Sequence, residues 1–291
     1  MISLEYRQYE DPAVLRKLQL VSTRILGEFD RVCAKLDIPY FAYGGTAIGA
    51  VRHDGFIPWD DDVDVAMLRS DYERFLREAP EALASEYEIV DWHTDPFFPA
   101  CNANLALKGT YCVPDEFMCC RFQYPIGIGI YALDQVPADE GDYRRQVRRT
   151  WLWGRLSFLR ATSSPHVNLG GVRRLLVLVA CKLAHWGMRI VRLSPAFIHQ
   201  RWERAARMGQ GEPVNEGTLY ADYADRTPLT WAVTRSDVFP LQEHAFEDLT
   251  IKLPHENDKL LRRGYGDYMS LPPENDRKNH HPGRLDFGDF A

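Results

Sequence analysis

The segment "WDDDVDVAML" (residues 59–68) constrains the fold of this chain more than any other stretch. Its acidic and apolar residues alternate, which is typical of a β-strand with one buried face. We therefore predict a strand on which Asp60, Asp62 and Asp64 share one face while Asp61 points away. Carboxylates held this close repel one another, at roughly 4 kcal/mol for charges about 4 Å apart in an effective dielectric near 20. Such a face needs water or a cation.

Two carboxylates on one strand face lie roughly 6.6 Å apart along the chain and can converge on one hard divalent cation. Mg²⁺ or Mn²⁺ would keep bound water and leave positions for phosphate oxygens. Apolar residues from Phe56 to Trp59 and from Val63 to Met67 favour a buried strand, whose carboxylates need a partner. The alternative, from the residues alone, is a solvated acidic turn.

A glycine pair stands upstream of the acidic segment. Gly44 and Gly45 lead into a helix predicted over Thr46–His53, and backbone N–H groups at a helix start can bind phosphate. Arg52 and His53 follow one helix length later and are candidate phosphate contacts. Glycine turn, helix and acidic strand together predict a site for nucleotide phosphates and a metal ion.

The remaining pattern alternates helices and strands. Apolar residues at spacings of three and four predict a helix over 12–36, with Asp11 as its cap. A capping box at "SDYE" predicts a second helix over 70–83, with Pro80 as its kink or end. "IGIGIY" (126–131) is a predicted strand with its isoleucines on one face.

These elements predict an α/β (α+β) fold with a mixed sheet and flanking helices. We divide the chain into a core (1–138), an inserted helical, basic subdomain (139–210), and a C-terminal part (211–291) that completes the core and closes the site. The last part is predicted to consist of short strands and turns.

The net charge and the N-terminal segment limit the partners and the location that we predict. A formal net charge of −6 disfavours nucleic acid as a partner. The opening "MISLEYRQYEDP" lacks the basic and apolar regions of a secretory signal, so we expect a cytoplasmic protein. Residues 172–193 combine Leu, Val and Trp with five basic residues. They form either a core helix with a basic solvent face or a peripheral contact with the inner face of the membrane.

Four of the six cysteines fall within twenty positions: Cys101, Cys112, Cys119 and Cys120. Their spacing lacks paired CxxC knuckles, so free buried thiols compete with a zinc site as the interpretation.

The block "GGTAIGAVRHDGFIPWDDDVDVAM" followed by "RSDYERFL" resembles the signature of the LicD family, a branch of the nucleotidyltransferase fold that includes fukutin-related protein. The similarity continues in "YALDQVP" (131–137), in Phe246-Glu247 and in "YGDYMSLPPENDRKNHH" (265–281). The resemblance implies a nucleotidyltransferase-like sheet core. It also implies transfer of a phospho-alcohol, foremost phosphocholine, from a CDP-alcohol such as CDP-choline to a glycan of teichoic acid or lipopolysaccharide, with release of CMP.

The resemblance assigns roles to individual positions. It makes Asp62 and Asp64 the ligands of Mg²⁺ or Mn²⁺, with Asp60 beside them in the catalytic group. The candidate substrate contacts are Gly44, Gly45, Thr46, Arg52, His53, Trp59, Lys108, Arg277, His280 and His281. A choline group would favour an aromatic cage, for which Trp59, Tyr43, Tyr111, Tyr124 and Tyr131 are available.

One departure from the family pattern matters most. Gly129 stands where the family carries a third acid, which commonly completes the metal site and acts as general base. Three explanations are open: another acid such as Asp134 or Glu116 substitutes, two acids and water suffice to hold the metal, or catalysis is weakened. Strand alternation makes Asp134 a poor replacement. The leading hypothesis is a phosphocholine transferase with a glycan acceptor, lipid-linked or free. The alternatives are a catalytically impaired nucleotide- or glycan-binding protein and a nucleotidyltransferase.

Overall fold

A mixed sheet flanked by helices forms the core in a computed structural model, which describes residues 8–167 and 169–290. The helices in these residues are α1 (Pro12–Leu36), α2 (Gly44–His53), α3 (Arg69–Glu78), α4 (Glu140–Ala161), α5 (Gly171–Ile190), α6 (Pro195–Ala206), α7 (Arg235–Val238) and α8 (Asn257–Tyr265). The strands are β1 (Phe41–Ala42), β2 (Asp64–Leu68), β3 (Tyr87–Val90), β4 (Ala103–Leu107), β5 (Tyr111–Val113), β6 (Gly127–Gln135), β7 (Tyr220–Asp222), β8 (Gln242–Phe246), β9 (Leu249–Leu253) and β10 (Arg284–Asp286). The predicted α/β class is confirmed.

The central sheet follows the order β1-β2-β6-β4-β3. Strands β2 and β6 run parallel, and the other neighbouring pairs are antiparallel. The short strand β7 pairs with the last residues of β6, beyond the end of β4. Parallel pairing places Asp64, the first residue of β2, directly beside Gly129 of β6.

The two faces of the sheet differ in what they bury. Val65 and Met67 of β2 and Ile128 and Ile130 of β6 are fully buried in the main core, which also contains Phe29 of α1. The opposite face presents alternate residues, beginning with Asp64 and Gly129. The acidic end of β2 therefore opens away from α1.

The helix predicted over 12–36 is confirmed, with the same bounds. Asp11 caps it, because its carboxylate accepts a hydrogen bond of 2.8 Å from the backbone N–H of Ala13. Pro12 occupies the first turn, where a missing N–H costs nothing.

The acidic strand begins later than predicted. Strand β2 starts at Asp64, and residues 60–63 belong to a loop. The backbone N–H of Asp60 donates to the carbonyl oxygen of Ile57 at 2.8 Å, and this turn keeps the first three aspartates out of the ladder. The prediction of one strand through all four aspartates is therefore wrong at its beginning.

The capping box predicted at Ser70 is also wrong. Helix α3 begins at Arg69, and its N-cap, Leu68, makes no side-chain hydrogen bond. Arg69 forms a buried ion pair with Asp134 of β6, which fixes the first turn one residue early. The helix ends at Glu78 and continues as a 3-10 turn over Ala79–Glu81, so the predicted break at Pro80 is confirmed.

Helices α4, α5 and α6 occupy the segment predicted to be helical, and β7 then returns the chain to the central sheet. The prediction of only strands and turns after residue 211 missed α7 and α8. The boundaries 1–138, 139–210 and 211–291 remain predictions. Residues 1–7, within the segment used to judge a secretory signal, lie outside the described residues, as do 168 and 291.

Helix α5 decides whether residues 172–193 form a core helix, one of the two interpretations given above. Of its residues, all of which the structure describes, His185 and Met188 are the buried ones. The core-helix interpretation of this segment is therefore wrong. Across the described ranges 8–167 and 169–290, no helix has the length and apolarity needed to cross a membrane.

Candidate active site

Asp64 is held at its place by contacts on both sides of its strand. Its backbone N–H donates to the Oγ1 of Thr46 in α2 at 2.8 Å. On the next strand, the N–H of Gly129 donates to the carbonyl oxygen of Val63, also at 2.8 Å. Thr46, predicted as a substrate contact, thus acts on the position of Asp64.

Gly129 gives the Asp64 carboxylate its space. A Cβ atom added at residue 129 would lie 2.4 Å from Oδ1 of Asp64 and 2.9 Å from the ring of Tyr131. Real Cβ atoms do not come this close to other heavy atoms, so the carboxylate occupies the volume in which a side chain at 129 would begin. The glycine is therefore matched to the present position of Asp64.

The glycine pair Gly44-Gly45 likewise leaves space for the carboxylate of Asp60. A Cβ at Gly45 would lie 2.6 Å from Oδ2 of Asp60, so the carboxylate sits against the start of α2. Gly44 has φ +56°, in the left-handed region that favours glycine, and its Cβ would meet the hydroxyl of Tyr265 at 3.4 Å. The side chain of Gln19 holds the Asp60 backbone, with Nε2 donating to its carbonyl oxygen at 2.9 Å.

The carboxylates raise one another's pKa values. Burial, and then repulsion from Asp62 and Asp61, raises the pKa of Asp60 to about 8. Desolvation by the surrounding protein, and then the charge of Asp61, raises the pKa of Asp62 to about 6, although the residue keeps an exposed surface. Burial, followed by Asp62 and Asp60, raises the pKa of Asp64 well above its ordinary value. A cation placed here would favour the charged form of each group.

The donors present fit a hard divalent cation. Carboxylate oxygens are the ligands that Mg²⁺ and Mn²⁺ prefer, and Mg²⁺ commonly takes only one or two carboxylates beside water and phosphate. Within the described residues no three His, Cys, Asp or Glu side chains are grouped so as to enclose a metal ion. Asp62 and Asp64 therefore suit an open site, completed by water and substrate.

Basic side chains from α2 and from the C-terminal segment lie beside Trp59 and Asp61. Nδ1 of His280 is 3.5 Å from Oδ1 of Asp61, and this contact raises the pKa of His280. The guanidinium groups of Arg277 and Arg52 lie 5.1 Å and 6.0 Å from the ring centroid of Trp59. These residues form a cationic border beside the carboxylates, and guanidinium groups bind phosphate well.

Three predicted contacts lie elsewhere, and Lys108 is the first of them. It is four residues along β4 from Asn104, the partner of Gly129, or about 13 Å away. Its Nζ donates to the carbonyl oxygen of Ser85 at 2.7 Å, so the prediction that it contacts substrate is not supported by its position.

The other two are histidines turned to other partners. His53 accepts a hydrogen bond of 3.0 Å from Nε of Arg52 and lines a separate cavity of about 750 Å³. The ring of His281 packs on Tyr9, with centroids 4.7 Å apart. Of these neighbouring pairs, Arg52 lies beside Trp59 and His280 beside Asp61.

The strongest residue that the sequence did not suggest is Asp222 of β7. It pairs in register with Leu133 and therefore shares the sheet face of Tyr131 and Asp64. The Tyr43 hydroxyl donates to its Oδ2 at 3.5 Å, and its charge contributes to the raised pKa of Asp64. Burial raises the pKa of Asp222 itself to about 7. Its signal in the sequence is a three-residue strand, too short to detect.

The two acids considered as substitutes for residue 129 are committed elsewhere. Both Asp134 oxygens accept hydrogen bonds from Arg69, at 2.7 Å and 2.6 Å. Glu116 lines a different cavity together with Cys119 and Cys120. Asp134 is therefore a poor replacement, as alternation predicted.

The cysteines do not form a common site. All six are free thiols, and among the described residues none joins a group able to hold a metal ion. Of the four clustered cysteines, Cys119 is exposed and Cys101, Cys112 and Cys120 are partly buried, so the buried-thiol interpretation is only partly met.

The mixed sheet presents carboxylates beside the glycine pair that begins α2. Residues 37–97 match the family model described as "LicD/FKTN/FKRP, nucleotidyltransferase domain". The chain therefore carries a LicD-type domain over these residues.

Similar proteins extend this relationship over most of the chain. The lipopolysaccharide cholinephosphotransferase LicD of Haemophilus influenzae is 26% identical over 286 residues, which cover 92% of this chain and 96% of that protein. An uncharacterized protein of Rickettsia typhi is 30% identical over 88 residues, covering 30% of this chain and 28% of its own length. One from Rickettsia prowazekii is 31% identical over 70 residues, covering 24% and 26%.

Proposed function

We propose that this protein transfers phosphocholine from CDP-choline to a hydroxyl group of a cell-surface glycan and releases CMP. The observation that carries the proposal is the acidic cleft of Asp60, Asp62 and Asp64, set between the start of α2 and the cationic border of Arg277 and His280. The similarity to a lipopolysaccharide cholinephosphotransferase over 92% of the chain supports the same chemistry.

The acidic cleft and its cationic border provide several groups that suit the negatively charged diphosphate of such a donor. Asp62 and Asp64 would hold Mg²⁺ or Mn²⁺, which when bound offsets the charge of the diphosphate. Arg52 donates from Nε and Nη1 to His53 and Tyr268, and Arg277 donates from Nε to Pro272. Their remaining guanidinium N–H groups are donors suited to phosphate oxygens. The close approach of α2, which Gly44 and Gly45 permit, adds backbone N–H groups at the same place.

A neighbouring cavity suits the phosphocholine part of the donor. It has a volume of about 390 Å³, lies beside Tyr131, and is lined by Trp151, Tyr223 and Asp225 among others. Aromatic faces and a carboxylate attract a quaternary ammonium group. Arg155 also lines the cavity and suits the phosphate.

In the proposed reaction the acceptor hydroxyl oxygen attacks the phosphorus that bears choline. The bond from this phosphorus to the bridging oxygen breaks, and the electron pair leaves with CMP. We assign Asp222 to receive the hydroxyl proton, since it lies on the same sheet face as Asp64 and its pKa is raised to about 7 by burial.

The first test follows CMP. With CDP-choline, Mg²⁺ and an acceptor glycan, the wild-type chain should release CMP in step with phosphocholine incorporation. Asp62→Asn should abolish release, while the exposed Asp248→Asn should leave it unchanged. Full activity of Asp62→Asn would remove the metal assignment, and pyrophosphate release from CTP would support nucleotidyl transfer instead.

The second test separates Asp222 from a structural role. An asparagine there can still accept the hydrogen bond of 2.7 Å from the N–H of Ala224. We expect Asp222→Asn to lower kcat by about 100-fold or more with little change in KM, as for a lost general base. Asp95→Asn, which keeps a similar acceptor for the N–H of Phe97 at 2.8 Å and lies outside the proposed site, is the control. An unchanged kcat would exclude Asp222 as the base.

Gly129 favours a second candidate, a binding protein without transfer activity. Such a protein would bind CDP-choline with Mg²⁺ in calorimetry yet release no CMP when acceptor is added. The same two measurements on the wild-type chain decide between the candidates.

A further inference from the structure

Helix α5 exposes a continuous apolar stripe. Its members are Val172, Leu175, Leu176, Val179, Leu183, Trp186 and Ile190, and each is between 46% and 80% exposed. At 3.6 residues per turn, these positions fall within an arc of about 100° along the whole helix. An amphipathic helix normally turns a stripe of this width toward a protein core.

The opposite side of α5 is the one that packs on the protein. His185 and Met188 are buried there, and Nδ1 of His185 lies 2.7 Å from the carbonyl oxygen of Leu159 in α4. This attachment fixes the rotation of the helix. The apolar stripe therefore faces outward because the other face of α5 is already engaged.

Basic residues border the stripe. Arg173, Lys182 and Arg189 are exposed on its two sides, with Arg189 5.5 Å from the ring centroid of Trp186. The surrounding segment, residues 143–202, contains twelve Lys or Arg and no Asp or Glu, in a chain of formal net charge −6. Positive charge is thus concentrated around this exposed apolar stripe.

We propose that α5 docks this protein on a bilayer surface that contains anionic phospholipids. The helix lies parallel to the surface, with the stripe at the boundary between headgroups and acyl chains and the basic residues among the lipid phosphates. Charge complementarity selects this partner, because twelve basic residues without an acidic one would repel a second copy of the same segment. The inference does not depend on the proposed transferase activity.

The test uses the full-length chain and sedimenting vesicles. We expect binding to phosphatidylcholine vesicles with 30 mol% phosphatidylglycerol, weaker binding to pure phosphatidylcholine, and a decrease as salt rises. Leu176→Asp combined with Leu183→Asp should reduce the partition coefficient at least tenfold. Leu20→Asp with Val214→Asp, at positions 52% and 58% exposed outside α5, should leave it unchanged.

Two further measurements distinguish insertion into lipid from self-association of the protein. Brominated lipids should quench a fluorescence component that Trp186→Phe removes, which reports insertion independently of the aspartate variants. Equal vesicle binding by wild type and the Leu176 and Leu183 variant would overturn the proposal. So would absence of vesicle binding together with a dimer in sedimentation velocity that this variant abolishes, which would assign the stripe to a second copy.

Discussion

At the scale of single residues, Gly129 and Asp64 act as a matched pair. The carboxylate of Asp64 fills the space that a side chain at 129 would need, with a Cβ at 129 only 2.4 Å from its Oδ1. An acid at 129 and the present position of Asp64 therefore exclude each other. On this face, the next carboxylate found along the sheet is Asp222 on β7.

Gly129→Ala should consequently weaken metal binding without unfolding the protein. The new methyl group forces the Asp64 carboxylate to rotate away, and we expect the Kd for Mn²⁺, measured by calorimetry, to rise about tenfold, equivalent to about 1.4 kcal/mol. Gly187→Ala, where an added Cβ meets nothing within 4 Å, is the control. Unchanged affinity in Gly129→Ala would show that Asp64 does not hold the ion.

The raised carboxyl pKa values predict an unusual pH dependence of the metal-free protein. Asp60 and Asp62 bind protons more tightly in the folded chain, with pKa values of about 8 and about 6 against an ordinary value of 3.8. The stability that they contribute when protonated is therefore lost as the pH rises from about 4 through these values. Asp62→Asn removes one of these charges.

The measurement is the free energy of unfolding of wild type and Asp62→Asn from about pH 4.5 to 8. We expect the free energy of unfolding of Asp62→Asn to rise relative to that of the wild type as the pH rises. Mg²⁺ should reduce this difference, because it binds only the wild type. Glu247 has a lowered pKa, so its contribution to the free energy of unfolding rises with pH. Such contributions are the same in both proteins and cancel in the comparison. A gap independent of pH would contradict the electrostatic account.

The sequence was informative about the acids and silent about their distant partners. Asp62 and Asp64 stand out because alternation and like charge are properties of neighbouring residues. Asp222 is 158 positions from Asp64 and joins the face only through pairing of β7 with β6. The distance of Lys108 from the acids was hidden for the same reason, since its position depends on the register of β4.

At the scale of elements, local signals predicted helices better than strand ends. Helix α1 has its cap, first-turn proline and apolar period within one continuous segment, and its bounds were predicted without error. The start of α3 was not predicted correctly, because a distant residue, Asp134, determines where Arg69 lies. The start of β2 depends likewise on a turn at Ile57.

The Arg69–Asp134 pair connects α3 to β6 inside the protein. Both side chains are buried, with exposed fractions of 9% and 2%, and the shortest contact is 2.6 Å. Arg69→Met leaves Asp134 buried without its partner, so we expect the free energy of unfolding to fall by about 3–5 kcal/mol in urea titrations. Arg69→Met with Asp134→Leu should recover part of this loss. Equal stability of the single variant and wild type would show the pair to be dispensable.

At the scale of the whole molecule, hydrogen bonds join the beginning and end of the described chain. Gln8 exchanges two bonds of 2.9 Å with the backbone of Asn279, and the N–H of Tyr9 donates to the Asn279 side chain at 2.9 Å. Asn279 lies between Arg277 and His280, the basic residues beside the acidic cleft. The junction thus holds the cationic border against the carboxylates.

Gln8→Ala should loosen this junction. We expect a loss of about 1–2 kcal/mol in the free energy of unfolding, for two hydrogen bonds, and a higher KM for CDP-choline at nearly unchanged kcat. Gln242→Ala, in β8, removes a comparable bond to the backbone carbonyl of His255 and should leave KM unchanged. An equal KM in both variants would mean that the segment around Asn279 does not help to bind the donor.

The same junction bears on how the protein is made. The four aspartates leave the ribosome more than two hundred residues before Arg277 and His280, so a nascent chain carries the acids and Arg52 of α2 without these two later basic residues. Under the proposed function, the donor phosphates would lack Arg277 and His280 until the late segment has been translated and docked on Gln8 and Tyr9. Full affinity for the proposed donor would then be a property of the finished polypeptide.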